Sequence, residues 1–375
     1  MNIVICGLSL SSAWGNGHAT TYRGLIRGLD DLGHQVVFLE RDVPWYANHR
    51  DLPDPEFCTL RLYRSLQELK DVYTPTVRAA DAVIVGSYVP EGVDVGRWAA
   101  QAASGPVAFY DIDTPVTLGK LARGDYEYLR PEQIAEYDLY LSFTGGPLLE
   151  RLKTQYHSPM ARPLYCSADP EKYFPNPRPS EWCMGYLGTY SPDRQPVLER
   201  LLIEPARRRP DLKFVVAGPQ YPDRIDWPGN VHRIDHLPPT EHCRFYNSQA
   251  ATLNVTREEM VAVGYCPSVR LFEAAACGTA IISDYWDGLE TIFDIGTEIL
   301  VARSTEEALQ HLSGKSVEQL DCIGQAARRR FARQHSSLHR ARELEQHLLD
   351  AAELAAARRG SYRPAKTRTT SEEPR

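Results

Sequence analysis

Nowhere does the 375-residue chain approach the run of ~18 apolar residues that a membrane-spanning helix requires. Met1 to Leu10 is apolar, but it lacks the basic start and the cleavage site of a secretory leader, so it reads as a first strand. The eight cysteines (Cys6, Cys58, Cys166, Cys183, Cys243, Cys266, Cys277 and Cys322) are scattered. None forms a Cys-x-x-Cys or a Cys/His group with zinc spacing, so they read as small core residues of a protein in the reducing cytoplasm. Excess positive charge is missing as well. The net charge of −7 lends no support to a nucleic-acid partner. The basic clusters Arg207–Arg209, Arg328–Arg330 and Arg358–Arg359 each lie near the end of a predicted helix and read as solvated termini. A dinucleotide fold would want G-x-G-x-x-G after its first strand. This chain has only Gly15-x-Gly17 there, which weakens a nicotinamide-dependent reading.

Apolar residues make up 43% of the chain and charged residues 24%, ordinary proportions for a globular protein long enough to hold two cores. Short apolar strands alternate with helical stretches. In the first half, strands read at 2–8, 35–40, 82–87, 107–113, 139–144 and 162–167. A helix is expected over 18–32, closed by Gly33, and another from Glu56 to about Val72. Four prolines between Asp169 and Ser180 mark a stiff linker. The pattern then restarts, with strands at 183–188, 213–217, 231–234, 251–255, 279–283 and 299–302. Strands separated by helices imply parallel sheets wound on both faces. The expected division is a domain over 1–168, the linker 169–180, a second domain over 181–335, a final helix over 336–359 and a disordered tail over 360–375. Ligands of such sheets bind beyond the carboxyl ends of the strands, here in a cleft between two domains.

Four segments at strand ends carry candidate chemistry. The loop Ser9 to His18 is rich in Ser and Gly, and Gly15 and Gly17 would let the backbone approach a ligand. His18 ends it, and an ordinary imidazole pKa near ~6.5 suits a general base. Its plain alternative is to cap the helix or contact phosphate. Asp111 and Asp113 close another strand, as Tyr110-Asp111-Ile112-Asp113-Thr114-Pro115. They could orient His18, bind an acceptor or chelate a metal, and ordinary turn capping is the alternative. Gly188 and Arg194 follow the first strand of the second domain, and a guanidinium there could clamp a phosphate or merely pair with Asp193. The last segment runs from Gly264 to Asp284 and joins a helix start at Ser268, a helix carrying Arg270 and Glu273, the turn Cys277-Gly278 and a buried strand ending in Ser283-Asp284. Arg270 and Glu273 lie three apart on one helical face, so an ion pair within the helix is the bland reading. Asp284 or Asp287 could hold sugar hydroxyls, with Trp286 against a ring face.

Taken whole, that last segment resembles the nucleotide-sugar site of GT-B glycosyltransferases. The resemblance implies two doubly wound Rossmann-like domains facing a cleft, with C-terminal helices crossing back to the first domain. It implies that Glu273 grips the ribose hydroxyls of a donor, that the helix start at Ser268 faces its diphosphate, and that Arg194 and Arg270 add charge. A His at the position of His18 is the base of the inverting members. Many retaining members carry a second glutamate eight residues before Glu273, where this chain has Tyr265. Within the fold, Trp14-Gly15-Asn16-Gly17-His18, the block Glu40 to Tyr46, Tyr110 to Pro115 and Ser268 to Gly278 are similar to the CgeB-like glycosyltransferases. The expectation is a cytoplasmic, metal-independent enzyme that needs no cofactor beyond its nucleoside diphosphate sugar donor. The acceptor is undefined, and would approach Trp45, Tyr46 and Asp111. A nucleotide-sugar-binding protein without catalysis, and a two-domain dehydrogenase or epimerase, are the competing readings.

Overall fold

Asn-Ile-Val-Ile-Cys-Gly forms the central strand β1 (Asn2–Gly7), buried from Ile3 to Cys6, because an apolar run without alternation suits a strand covered on both faces. The computed structural model describes residues 1–14, 17–176 and 178–361, without the side chains of 358–361. Gly15, Asn16, Pro177 of the linker and the tail from 362 onward lie outside the described residues.

Around β1 stand β2 (Gln35–Arg41), β3 (Thr59–Tyr63), β4 (Ala82–Gly86), β5 (Val107–Asp111), β6 (Leu139–Ser142) and β7 (Ala161–Pro163). Their order is β3-β2-β1-β4-β5-β6-β7, all parallel. The second sheet contains β8 (Trp182–Leu187), β9 (Phe214–Ala217), β10 (Val231–Ile234), β11 (Gln249–Asn254), β12 (Ala280–Ser283) and β13 (Leu300–Val301). Its order is β10-β9-β8-β11-β12-β13, again all parallel. In both sheets the order reverses beside the first strand, which opens a crevice at the carboxyl ends.

The edge strand β3 differs from the sequence expectation of one helix from Glu56 to Val72. Thr59-Leu-Arg-Leu-Tyr pairs with β2, and the helix begins only at Leu66, capped by the Ser65 hydroxyl. At a sheet edge the outer side chains stay wet, so β3 lacks the apolar run that marks its neighbours.

The chain crosses between the domains at two adjacent points. Ala168 and Ser336 form an isolated parallel bridge, and Ser337 N–H donates to the Ala168 carbonyl at 3.1 Å. The last helix, Ser337–Ser361, returns to the first domain and buries Ala341, Leu344, Leu348 and Ala351 in its core. It lies against the helix His18–Asp31 at Gly28. A Cβ at Gly28 would stand 2.9 Å from the Ser337 carbonyl and 3.0 Å from the Ala341 side chain. His34 links the start of the first strand to the last helix: Nδ1 lies 2.9 Å from the Met1 amine and Nε2 3.1 Å from Glu345 Oε1.

Candidate active site

A cleft of about 500 Å³ lies between the two sets of strand ends. The first domain contributes Leu8, Gly17, His18, Thr21, Tyr46, Tyr88, Ile112, Asp113, Phe143 and Cys166. The second contributes Arg194, Val255, Thr256, Arg257, Met260 and the run Cys266 to Arg270.

The first loop is held from below by Glu40, the last inward residue of β2. Its carboxylate is fully buried and accepts Leu10 N–H at 2.6 Å, Ser11 N–H at 2.9 Å and the Ser11 hydroxyl at 2.6 Å. A further clamp joins Arg23 to Asp51 through two bonds of 2.8 Å, while Arg23 Nε holds the Leu10 carbonyl. These contacts hold Leu10 and Ser11, upstream of His18, the first residue of its helix. The His18 ring meets Tyr88 edge to face at 5.2 Å, and its buried Nδ1 has no hydrogen-bond partner among the described residues. Burial lowers its pKa to about 3, so the imidazole is neutral at pH 7.

The two aspartates of β5 part company. Asp111 points away from the cleft and is fully buried. It accepts Tyr140 Oη at 2.5 Å, Thr117 Oγ1 at 2.8 Å and Asp113 N–H at 3.2 Å. Its place is a knot between β5, β6 and the following helix, rather than the reacting face expected from sequence. Asp113 reaches the cleft and accepts Tyr88 Oη at 3.3 Å. Burial first, then the neighbouring charge of Asp111, raise its pKa to about 6. Among the described residues no group of three or more His, Cys, Asp or Glu side chains is placed to hold a metal ion.

Across the cleft, helix Val269–Cys277 starts at Ser268 and ends at Gly278, whose φ of +76° supplies the left-handed cap. Ser268 does not cap this helix. Its hydroxyl donates to Asn254 Oδ1 at 2.6 Å, and Asn254 Nδ2 donates to Ser283 Oγ at 2.9 Å. Among the described residues no side chain caps the first-turn N–H groups at the cleft. Arg270 makes only long contacts of 3.4 Å, to Asn254 Oδ1 and the Val255 carbonyl, with its guanidinium over the Tyr186 ring. Arg194 donates to the Thr189 carbonyl at 2.7 Å, and its buried Nε has no partner among the described residues. Burial and the charge of Arg270 both lower the Arg194 pKa. No carboxylate ion-pairs with either guanidinium among the described residues.

Other expected site residues stand back from the cleft. Glu273 is 4% exposed and accepts Tyr246 Oη at 2.8 Å, so the ion pair with Arg270 does not form and the carboxylate lies one turn behind the cleft lining. Asp284 is buried behind Thr256, accepting its N–H at 3.1 Å and its hydroxyl at 2.9 Å. Gly188 does not line the cleft. Its carbonyl accepts Tyr221 Oη at 3.1 Å, and a Cβ on Gly218 would stand 2.1 Å from that same oxygen. Trp286 is buried in the second core, not set against a ligand. Gly15 lies outside the described residues, whereas Gly17 lines the cleft. Sequence reasoning missed Tyr88, Asn254, Thr256 and Arg257. Their signal was position alone, since Tyr88 follows β4 and the other three end or follow β11, at the switch point of each sheet.

With this geometry in place, comparison identifies the architecture. The fold is GT-B. A sucrose-phosphate synthase from Thermosynechococcus elongatus superposes with a TM-score of 0.65 at 14% identity, over 96% of this chain and 99% of that one. The Anabaena protein HepE in complex with UDP and glucose gives 0.63 at 11% identity, over 92% and 98%. An alpha-glucosyltransferase in complex with UDP-glucose and DNA containing an abasic site gives 0.66 at 13% identity, over 93% and 99%. Residues 194–346 match the family described as glycosyl transferase-like. No curated protein matches the chain by sequence. Among the described residues, no helix is long and apolar enough to cross a membrane.

Proposed function

We propose that this protein is a glycosyltransferase that moves a sugar from a nucleoside diphosphate sugar to an acceptor hydroxyl, without a metal ion or other cofactor. One observation carries the reading. Arg194, Arg270 and an uncapped helix N-terminus share one wall of the cleft, and no carboxylate among the described residues ion-pairs with either guanidinium. Together they form a site for a doubly charged anion. The family match over 194–346 and the UDP-bound structural relatives support the same assignment and make UDP the first nucleotide to test. Glu273 lies on the same helix but behind the cleft lining, so its part is to hold Tyr246 and the helix, while Gly188, Ser268 and Asp284 shape the loops around the donor.

The acceptor then sits on the first-domain wall, entering past Tyr46 and the exposed Trp45. Its oxygen attacks the anomeric carbon while the bond from that carbon to the diphosphate oxygen breaks. The electron pair leaves on the diphosphate, stabilised by the two arginines and the helix terminus. The acceptor proton passes to Asp113, whose pKa of about 6 leaves it ionised yet basic at neutral pH. His18, held neutral by burial, serves as a hydrogen-bonding partner beside it, and Asp111 supports the strand end that carries Asp113. Direct displacement inverts the anomeric configuration. The CgeB-like resemblance remains our assignment of subfamily.

The test is a thermal-shift and calorimetry series with UDP, GDP, ADP and dTDP, followed by UDP-glucose turnover. A ligand bound only by the native state raises the melting temperature. UDP is expected to give the largest rise, and no response to any nucleoside diphosphate would overturn the assignment.

A further inference from the structure

The segment leading into the helix at Val269 is gripped by both domains through one side chain. Tyr265 has a φ of +51°, a left-handed conformation rare for a bulky residue. Its neighbours explain how that backbone is held. Tyr265 N–H donates to the Asp287 carbonyl at 2.6 Å within the second domain. The Tyr265 carbonyl accepts Gly145 N–H at 2.9 Å from the first domain. The ring lies between two bare glycine backbones. A Cβ on Gly146 would stand 2.4 Å from Cδ2, and a Cβ on Gly288 would stand 2.4 Å from Cδ1 on the opposite edge. Gly146 and Gly288 both have positive φ, at +60° and +93°. Filling space alone would not require three left-handed residues from two domains to converge. Strain of this kind persists where its surroundings over-determine it. Two residues on, the Pro267 carbonyl accepts the Cys166 thiol at 3.2 Å, a second tie to the first domain.

We propose that Tyr265 is a positioning residue. Its ring and main chain form a clasp that fixes the helix start at Ser268–Arg270 relative to the first-domain loop after β6. This sets the leaving diphosphate against Asp113 and His18 across the cleft. The proposal rests on the glycosyltransferase reading of that cleft. Tyr265 does not line the cleft itself, so its effect reaches the reaction through Cys266 to Arg270, which do. The arginines that hold the anion both belong to the second domain, so loss of the clasp separates alignment from affinity.

Two variants of the full chain test it. Tyr265→Phe keeps the ring, and Tyr265→Asn keeps a residue that tolerates left-handed backbone but removes the ring. Hydrogen exchange over 143–147, UDP calorimetry and steady-state turnover are measured on each. Tyr265→Asn is expected to speed exchange of the Gly145 amide, lower kcat by roughly tenfold or more, and leave UDP affinity within about threefold. Tyr265→Phe is expected to restore all three. Unchanged Gly145 exchange in Tyr265→Asn overturns the clasp, whatever the activity. A fall in UDP affinity that matches the fall in kcat also overturns it, because Tyr265 would then be touching the donor. Absence of transfer by the unsubstituted protein overturns the reading of the cleft instead, and the exchange measurement still decides the clasp.

Discussion

On the second-domain wall of the cleft the charges are permanent. Arg194 and Arg270 stay cationic at any physiological pH, and the helix terminus between the loops adds a fixed dipole. On the first-domain wall the groups titrate. His18 and Asp113 are both shifted by burial, in directions that favour their neutral forms. The contrast matches two chemical tasks. A leaving diphosphate gains negative charge as its bond to the sugar breaks and needs a counter-charge that is always present, whereas an acceptor hydroxyl must lose a proton and needs a group that can take one.

Breaking the titrating wall is expected to have the largest effect. Asp113→Asn should lower kcat by about 10²–10⁴-fold, the usual range for a lost general base, while UDP affinity stays nearly intact. The pH profile sharpens the same point. Protonation removes the base, so kcat/KM should fall as pH drops through about 6, toward tenfold per unit, and level off above it. That limb should vanish in Asp113→Asn. If it persists, another group is the base, and His18→Ala becomes the discriminating variant.

Breaking the permanent wall should affect binding first. Arg270→Ala and Arg194→Ala each remove charge-assisted bonds worth about 1.5–3 kcal/mol, or roughly 10–100-fold in UDP affinity. Uridine, which lacks the diphosphate, should bind almost as before. Equal losses for UDP and uridine in calorimetry would show that the arginines act through local structure. The smallest effect is expected at Glu273→Gln. The amide oxygen can still accept from Tyr246, and the side chain stands behind the cleft lining. Nucleotide affinity should change by less than about threefold, and a larger loss would place the carboxylate on the ribose.

Much of the fold could be read in advance because parallel strands buried on both faces leave apolar runs bounded by turn residues, as at Asn2–Gly7 and Ala280–Ser283. The exception, β3, is half wet and lost that signature. Around the site, His18, Arg194 and Arg270 could be named because loops after parallel strands must gather at one edge of each sheet. The roles of Asp111 and Asp113 could not be separated, since two residues apart at a strand end gives no hint of which carboxylate turns inward. Tyr140 and Thr117 decide that, from 29 and 6 residues away. Trp286 likewise looked like a sugar platform until the second core was seen to enclose it.

By itself, then, the sequence determined the two wound sheets, the cleft at their carboxyl edges and the basic helix start on one side, because all three follow from local periodicity and chain connectivity. Tertiary structure alone decided which polar groups face solvent in that cleft and what Tyr265 does. Burial and hydrogen-bond satisfaction depend on neighbours far away in the chain, and the clasp exists only where glycines from two domains meet one ring.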